Sequence, residues 1–580
     1  MIRYHLEIDD LHTHHFRVTL TLPHPAPLQR LSLPVWIPGS YLVREFSRHL
    51  SGLQAHQGRR AVALTQLDKC TWQAECSGRT ALTVSWRVYA FDNSVRCAWL
   101  DTQRGFFNGT GVFLRAEGRE ADEHRLTLGA LPAGWEAATG LPQVAPGEYG
   151  APDYEALVDH PVELGTFWRG TFTACGVAHE FVVAGALPGF DGARLLADTQ
   201  RLCEAQIRFW HGGPDGTAPP PFERYVFLLN AVDDGYGGLE HRNSTALICG
   251  RRDLPRVGDP ASSDGYVTLL GLISHEYFHT WNVKRLRPRE FDRYALGAEQ
   301  YTRLLWFFEG FTSYYDDLFL VRTGLIDAGR YLRLVARTAN QVLGSPGRFV
   351  QSAADASLDA WIKYYRPDEN SANATVSYYT KGAQIALALD LTLRGEVKGA
   401  TLDDVMRQLW QRSGGGPIGE DDIAAALAAV GRRSYAQELA EWVHGTADLP
   451  LAPLLATHGV EWKRERPLLM QRLGARLAES PAGLKVQAVT RGGAAEQAGL
   501  AAGDELLALG DWRLVKPEDL PLYGAFEQPQ PLLVARDRRL LRLTLPAVRD
   551  VEGAVALSAQ AKPAASVRRR REAWLTATPA

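Results

Sequence analysis

Ser274-His275-Glu276-Tyr277-Phe278-His279-Thr280-Trp281 is the stretch that decides the fold of this chain. On a helix, residues four apart lie on one face, so His275 and His279 can aim two imidazoles at one point. Two neutral imidazoles on one face suit zinc. Glu276 would lie beside such a metal, where a carboxylate can take a proton from water. The stretch therefore supplies two metal ligands and a base, and it requires a third ligand from elsewhere.

The third ligand is predicted in a second apolar segment, residues 304–317, which reads as a helix interrupted by one carboxylate, Glu309. Trp306, Phe307, Phe308 and Phe311 flank this acid, and a carboxylate is costly to bury in such surroundings without a cation or a metal. A catalytic zinc ion usually has three protein ligands and one open position. Glu309 is therefore the predicted third ligand. The alternative is a surface helix whose His and Glu side chains are merely solvated.

Length and composition place the chain among multidomain globular proteins. Its 580 residues suggest three or four domains, and the 46% hydrophobic and 22% charged content is ordinary. A formal net charge of -3 gives no electrostatic reason to expect nucleic acid or an anionic membrane as a partner.

The first ten residues lack an apolar signal core, and no run of about 18 apolar residues follows, which predicts a soluble, cytoplasmic protein that does not enter a membrane. The six cysteines are scattered and form no CxxC pattern, so we expect reduced thiols rather than disulfides or a thiolate zinc site.

Residues 1–170 read mostly as strands, with alternation at Phe16–Leu22 and Ala81–Tyr89. Two prolines in Leu33–Tyr41 predict a rigid turn packed by its aromatic residues. The glycine-rich stretch Asp101–Gly111 does not have a phosphate-binding spacing, so the expectation is a loop tip.

Two further strands, Arg224–Asn230 and Ala246–Cys249, are predicted to be joined by a glycine-rich turn. Gly237 and Gly238 in this turn would let the backbone approach a ligand closely. Glu240 would lie at the mouth of a cleft, although a glutamate in such a turn is more often simply solvated.

The remainder of the chain is helical in pattern up to residue 464, then returns to short strands and turns, and ends in an alanine-rich, arginine-rich segment read as a mobile tail or isolated helix. The predicted boundaries are 1–170 for the β-rich N-terminal domain, 171–330 for the catalytic domain, 331–464 for a helical subdomain, 465–547 for a small separate module, and 548–580 for the tail.

Several separated segments together resemble one family. HEYFHTWNVKRLRP, WFFEGFTSYYDD, LPVWIPGSYLVREF, GYGGLEHRNS and SYYTKGA are similar to the pattern of the glycyl aminopeptidase group of zinc metallopeptidases, peptidase family sixty-one. That family is related to thermolysin-like and aminopeptidase N-type enzymes. The resemblance implies a multidomain α+β fold with a β-rich N-terminal domain, a thermolysin-like zinc catalytic domain with a helical subdomain, and a C-terminal PDZ domain at 465–547.

The resemblance also implies roles. His275, His279 and Glu309 would bind one zinc ion, and Glu276 would activate water. Tyr379 occupies the place of a tyrosine that donates to the carbonyl oxygen in aminopeptidase N-type enzymes, whereas the residues alone favour a core tyrosine. Glu240 resembles the acid that pairs with the substrate's amino group, although its neighbours Leu239 and His241 depart from the Gly-x-Met-Glu-Asn pattern.

The expected activity is removal of small N-terminal residues, Gly or Ala, from peptides with a free N-terminus, and this preference rests wholly on the resemblance. Asn108 is a further candidate for reaching the cleft, beside Gly237 and Gly238. The PDZ domain would bind a peptide or a C-terminus through Leu473–Leu477, or would only pack against the enzyme. The oligomeric state is not indicated.

Three other functions fit parts of the pattern. A thermolysin-like endopeptidase would share the zinc ligands but accept blocked N-termini. A non-catalytic PDZ adaptor with a structural zinc would not need Glu276, because structural zinc needs no base. A zinc hydrolase acting on another substrate, such as an epoxide, would need a site that excludes peptides.

Overall fold

The N-terminal part of the protein is a layered β-structure in a computed structural model that describes residues 1–213, 216–480 and 483–576. Its largest sheet contains eight strands in the order Gln143–Ala145, Glu148–Ala151, His124–Leu128, Ile2–Asp10, His15–Leu22, Leu82–Tyr89, Leu50–Gln57 and Arg60–Val62. Alternate residues of Ile2–Asp10, His15–Leu22 and Leu82–Tyr89 are buried, which is the pattern of strands that cover a core with one face.

Two four-stranded sheets complete this β-structure. One contains, in order, Glu136–Thr139, Val162–Gly165, Arg104–Phe107 and Ala98–Leu100, and the other contains Arg115–Ala116, Leu28–Ser32, Thr71–Glu75 and Leu64–Gln66.

The segment Asp101–Gly111 is not the exposed loop tip that its glycines suggested. It forms the strand Arg104–Phe107 and enters a one-turn helix, Gly109–Val112, whose residues are all buried. A Cβ atom on Gly109 would lie 2.7 Å from the Cα atom of Val158. The glycine is therefore required by close packing, which sequence alone does not distinguish from a turn.

A five-stranded sheet and three helices frame the centre of the molecule. The strand order is Trp168–Ala174, Val177–Ala184, Arg224–Val232, Ser244–Gly250 and Tyr236–Glu240. The last of these, which we call the edge strand, corrects the sequence expectation of a turn. It pairs antiparallel with Ser244–Gly250 and leaves its other side free. Glycine weakens a strand signal, but at a sheet edge it also lets backbone or ligand approach closely.

The helices of the central and C-terminal regions run along this sheet and against one another. We call Asp264–Phe278 the first site helix, Leu305–Arg322 the second and Tyr378–Glu396 the third. The other longer helices are Gly192–His211, Ala328–Leu343, Leu402–Ser413, Glu420–Gly431 and Leu451–Thr457, with short helices at Ala353–Leu358 and Ser371–Ala374. No helix in the described residues is both long and apolar enough to span a bilayer.

The small module has its own hydrophobic core, separate from that of the rest of the protein. Its sheet order is Ala475–Ser480, Gly483–Val489, Glu505–Leu509, Gln530–Arg536 and Arg539–Leu545, with short helices at Ala494–Gln497 and Asp519–Tyr523. Asn373 joins it to the helical region, donating to the carbonyl oxygen of Val489 at 2.8 Å and accepting from the amide of Arg491 at 2.8 Å.

The segment predicted as a tail is ordered structure packed on the helical region up to residue 576. Val555–Ala559 pairs with Val460–Arg464, and Ala565–Leu575 forms a helix. Trp574 is fully buried, and its indole donates to the hydroxyl of Tyr314 at 2.9 Å. The four arginines suggested a charged segment in solvent, but the buried Trp574 anchors the helix against the protein. All six cysteines are free thiols.

The second and third site helices approach each other through two glycines. A Cβ atom on Gly310 would lie 2.4 Å from the Cα atom of Gly382, and one on Gly382 would lie 2.2 Å from the carbonyl oxygen of Trp306. Both obstacles are backbone atoms, which cannot rotate away. Any larger residue would push the helices apart.

We expect Gly310→Ala to lower the free energy of unfolding by about 3 kcal/mol or more, because overpacking against backbone forces a helix to move. Gly395→Ala is the matched control, since it lies in the third site helix with no atom within 4 Å of the added Cβ. The control should be neutral or more stable by up to about 1 kcal/mol. Urea denaturation measures both, and equal changes in the two variants would contradict the role of the glycine crossing.

Candidate metal centre

The two histidines of the HEYFH stretch lie at the end of the first site helix with their Nε2 atoms 3.0 Å apart. The helix begins with a cap at Ser263, whose hydroxyl accepts from the amide of Tyr266 at 3.0 Å. His279 caps the other end with helical dihedral angles, φ -60° and ψ -19°. The helical spacing of the two imidazoles therefore persists to the last residue of the motif.

Glu309, the predicted third ligand, lies on the second site helix beside the two histidines. Its Oε2 atom lies 3.6 Å from Nε2 of His275 and 3.2 Å from Nε2 of His279, and the residue is only 2% exposed. Tetrahedral zinc with bonds of about 2.0–2.1 Å requires ligand atoms about 3.3 Å apart. The three separations bracket that value, so these side chains fit a zinc ion.

Both imidazoles are oriented by partners on their other nitrogen. Nδ1 of His275 lies 2.9 Å from a carboxylate oxygen of Asp316, and Nδ1 of His279 lies 2.7 Å from the carbonyl oxygen of Asn282. A carbonyl only accepts, so the proton of a neutral His279 is on Nδ1 and its Nε2 lone pair faces Glu309. Sequence reasoning missed Asp316, although its position seven residues after Glu309 on one helix was a usable signal.

The charges of the two histidines and the surrounding carboxylates stabilise one another. Burial by itself lowers the pKa of His275, but hydrogen bonds to Asp316 and Glu309 raise that pKa well above its usual value. Burial by itself raises the pKa of Glu309, but the neighbouring His279 and His275 bring it below its usual value. Attraction thus outweighs desolvation here, as it does where a metal ion is bound by a carboxylate and imidazoles.

The predicted base, Glu276, faces the edge strand. It is 5% exposed, and a Cβ atom on Gly238 would lie 2.0 Å from its Oε1 atom. Ligand-type atoms of Glu276, Glu240 and His279 all lie within 4.8 Å of one another. The structure therefore brings Glu276, Glu240 and Gly238 together beside the histidines, with a glycine where a side chain would displace the base.

Tyr379 lies at the start of the third site helix, next to the histidines. Its ring is stacked near that of His275, with centroids 6.3 Å apart, and near that of Tyr378, with centroids 4.7 Å apart. Burial raises the pKa of Tyr379 well above its usual value, and the charge of Glu309 adds to this effect. The phenol therefore stays protonated and can donate a hydrogen bond.

Asn108 does not reach the cleft. It is fully buried in the N-terminal region, and its amide donates to the carbonyl oxygens of Val95 at 2.9 Å and Cys97 at 3.3 Å. The asparagine thus holds a backbone segment rather than a ligand. Its place in a glycine-rich stretch had suggested that it reaches the cleft.

The proline-containing segment Leu33–Tyr41, which the sequence assigned to packing, also contacts the cleft. A Cβ atom on Gly39, whose φ is +90°, would lie 2.4 Å from Oε2 of Glu240. The carbonyl oxygen of Gly39 accepts from the hydroxyl of Tyr365 at 3.2 Å. Gly39 therefore forms a wall against the Glu240 carboxylate.

Asp159 is a buried carboxylate that connects the residues after Glu240 to the loop after His279. The sequence did not single it out. It accepts from Lys284 at 2.6 Å and from the amide of Arg242 at 2.9 Å, and it lies 3.4 Å from Nδ1 of His241. Burial alone would raise the pKa of Asp159, but Lys284 and His241 hold that pKa well below its usual value. Asp159 thus fixes the residues that follow both Glu240 and His279.

We expect Asp159→Asn to lower the free energy of unfolding by about 3–5 kcal/mol, because it leaves Lys284 buried without a counter-charge. Glu45→Gln is the matched control, since its partner Lys69 is 55% exposed, and it should cost less than about 1 kcal/mol. Thermal or urea unfolding measures both. A loss below 1 kcal/mol in Asp159→Asn would show that this node is not the support described here.

Comparison with known proteins agrees with this site. The family model for the Peptidase M61 N-terminal domain matches residues 3–166, and the model for M61 glycyl aminopeptidase matches residues 268–385. A crystal structure of an aminopeptidase N family protein from Idiomarina loihiensis is 37% identical, with a TM-score of 0.93 over 99% of this chain and 100% of that chain.

Two more distant relatives match only in part. Aminopeptidase N of Haemophilus influenzae is 28% identical over 174 residues, which is 30% of this chain and 17% of that protein's length. An M1 zinc metallopeptidase from Deinococcus radiodurans is 16% identical, with a TM-score of 0.47 over 78% of this chain and 94% of that chain.

These matches place the chain among the peptidases. It belongs to the M61 glycyl aminopeptidase family, as the residues of the HEYFH and Glu309 segments suggested.

Proposed function

We propose that the chain is a zinc-dependent aminopeptidase that removes small N-terminal residues, Gly or Ala, from peptides and that uses one zinc ion. Membership of the M61 family supports an aminopeptidase. The two histidines and Glu309, with donor atoms spaced for tetrahedral coordination, support zinc.

The observation that carries the aminopeptidase assignment is the state of Glu240. This residue is 4% exposed, and in the described part of the chain its Oε1 atom has no hydrogen-bond partner. An unpaired carboxylate is costly to bury, whereas an ammonium group would satisfy it with charge-assisted hydrogen bonds. Its position beside Glu276 and His279 puts an N-terminal ammonium one residue from the bond to be cleaved.

The wall beside Glu240 favours an exopeptidase over a thermolysin-like endopeptidase. Gly39 lies directly against the Glu240 carboxylate, and Tyr365 is hydrogen-bonded to Gly39 on the far side. A peptide extending beyond the N-terminal residue would run into these two groups. The preference for Gly or Ala is supported by membership of the M61 glycyl aminopeptidase family.

Each residue of the cleft then has a chemical task. Glu240 holds the substrate ammonium, and the backbone of Gly237 and Gly238 aligns the peptide along the edge strand. A zinc ion at His275, His279 and Glu309 supplies Lewis-acid polarisation of the carbonyl and a lowered pKa for water. Glu276 takes a proton from the attacking water and returns it to the leaving amine. Tyr379 donates a hydrogen bond to the carbonyl oxygen as negative charge develops there.

The module at 465–547 belongs to the proposal as a PDZ domain. Its separate core supports an independent domain, and Ala475–Ser480 is an edge strand preceded by Gly474, whose φ is +68°. Such an edge can bind a peptide or a C-terminus. The contacts of Asn373 support the alternative, a purely structural role, equally well. We also propose a cytoplasmic location, supported by six free cysteines.

We expect Glu276→Gln to keep zinc and to lose about 10²–10⁴-fold in kcat, because a general base is removed while the ligands stay. Glu309→Ala should lose zinc. Zinc content after dialysis, measured by atomic absorption beside the hydrolysis of a glycine reporter, tests both. Equal zinc content in the two variants would remove Glu309 from the ligand set.

Glu240→Gln tests the amine anchor. We expect kcat/KM for a free aminoacyl reporter to fall about 10–100-fold, because a hydrogen bond to a charged group is lost, while zinc content stays constant. An N-acetylated reporter serves as the matched substrate, and it should be a poor substrate of both proteins. Wild-type cleavage of the acetylated reporter at the rate of the free one would instead identify an endopeptidase.

A further inference from the structure

Arg96 of the N-terminal region lies beside the edge strand and contacts the residue that meets the base. Its Nη2 atom donates to the carbonyl oxygen of Gly238 at 3.3 Å, and its Nη1 atom lies 3.7 Å from the position of a Cβ on Gly237. Gly238 is the residue that meets Glu276. The guanidinium group is therefore part of the cleft wall, and the proposed chemistry gives it no task.

The charge of Arg96 is not balanced within the described residues. No carboxylate oxygen lies within 4.0 Å of its guanidinium, and its buried Nε atom has no hydrogen-bond partner. Arg44 lies nearby and donates to the hydroxyl of Ser40 at 2.6 Å, and its Nε atom also lacks a partner. Burial lowers the pKa of Arg44, and the charge of Arg96 lowers it further. Two neighbouring cations with no carboxylate oxygen of the described residues within 4.0 Å can attract an anion, although Asp92 also acts on Arg44.

The position of Arg96 is fixed by its own domain. Asn108, fully buried, donates to the carbonyl oxygens on both sides of Arg96, those of Val95 and Cys97. The amide of Arg96 donates to the hydroxyl of Ser94 at 3.3 Å. The backbone at Arg96 is therefore held in place, and the guanidinium itself is held by the hydrogen bond to Gly238.

The distance along the edge strand identifies which part of a substrate meets Arg96. Glu240 and Gly238 are two residues apart on a strand, a span of about 6.6 Å. An extended dipeptide spans about 7 Å from its amino group to its carboxylate. With its ammonium at Glu240, a dipeptide therefore brings its carboxylate to the level of Gly238 and Arg96.

We propose that Arg96 binds a carboxylate carried by the residue that follows the scissile bond, which makes dipeptides the preferred substrates. This inference rests on the proposed aminopeptidase function and deepens it. The carboxylate has two possible sources, the C-terminus of a dipeptide or an acidic side chain at the second position. The spacing along the edge strand assigns the C-terminus.

Three substrates distinguish these sources: Gly-Ala, the amide Gly-Ala-NH₂ and the acidic amide Gly-Asp-NH₂. We expect wild-type kcat/KM to be about 10–100-fold higher for Gly-Ala than for its amide, mainly through KM, since a charge-assisted hydrogen bond contributes that much. In Arg96→Gln, which keeps a donor for Gly238, the ratio should fall towards one. Arg96→Lys should keep part of the preference for Gly-Ala over its amide. An Arg96-dependent preference for Gly-Asp-NH₂ would identify the side chain as the source.

Arg79→Gln is the matched control, an exposed arginine of the same domain in the turn before Leu82–Tyr89, and its substrate ratio should equal that of the wild type. A wild-type ratio of one for both carboxylate substrates, or equal losses on all three substrates in Arg96→Gln, would overturn the proposal. The second result would mean that Arg96 only braces the edge strand.

Binding without turnover separates this proposal from the proposed function. Calorimetry with Glu276→Gln measures the Kd of Gly-Ala and of its amide, and then the same values after Arg96→Gln is added. We expect a preference of about 10-fold or more for Gly-Ala that disappears in the double variant. Absence of wild-type hydrolysis would reject the aminopeptidase, whereas equal Kd values for the two ligands would reject the carboxylate site alone.

Discussion

The crossing of Gly310 and Gly382 is the constraint on which the rest of the centre depends. Gly310 directly follows Glu309, and Gly382 lies three residues after Tyr379, so one contact fixes the proposed metal ligand relative to the proposed hydrogen-bond donor. Backbone against backbone leaves no rotamer to adjust, unlike a contact between side chains. The precision that zinc coordination and carbonyl polarisation need is thus set by two residues that take no part in the chemistry.

Most residues of the candidate centre could be predicted from sequence, because each of them belongs to a short local pattern. Helical spacing makes His275, Glu276 and His279 candidates, and Glu309 is a candidate because it is an acid among aromatic residues. The roles of Tyr379 and Glu240 came from the family resemblance. The residues alone favoured a core tyrosine for Tyr379, and they placed Glu240 at the mouth of a cleft, where a solvated acid is the commoner case. Arg96 and Asp159 were beyond reach because each acts on residues more than 80 positions away in sequence, at Gly238 and Arg242.

The strands were predicted well where the hydrophobic pattern was regular, as at His15–Leu22 and Leu82–Tyr89. They were predicted poorly in glycine-rich segments. The edge strand Tyr236–Glu240 and the buried stretch around Gly109 both looked like turns. Glycine marks a turn and a close approach alike, and only the three-dimensional partner separates the two. Those partners, Glu276 and Val158, lie far along the chain.

The buried indole of Trp574 has a consequence for how the enzyme is made. Its partner, Tyr314, stands five residues after Glu309 on the same helix and also donates to Asp390 at 2.6 Å. A ribosome releases the chain from its N-terminus onward, so Trp574 emerges 260 residues after its partner Tyr314. The helix that carries Glu309 therefore acquires this packing partner only after the 260 residues between Tyr314 and Trp574 have been made.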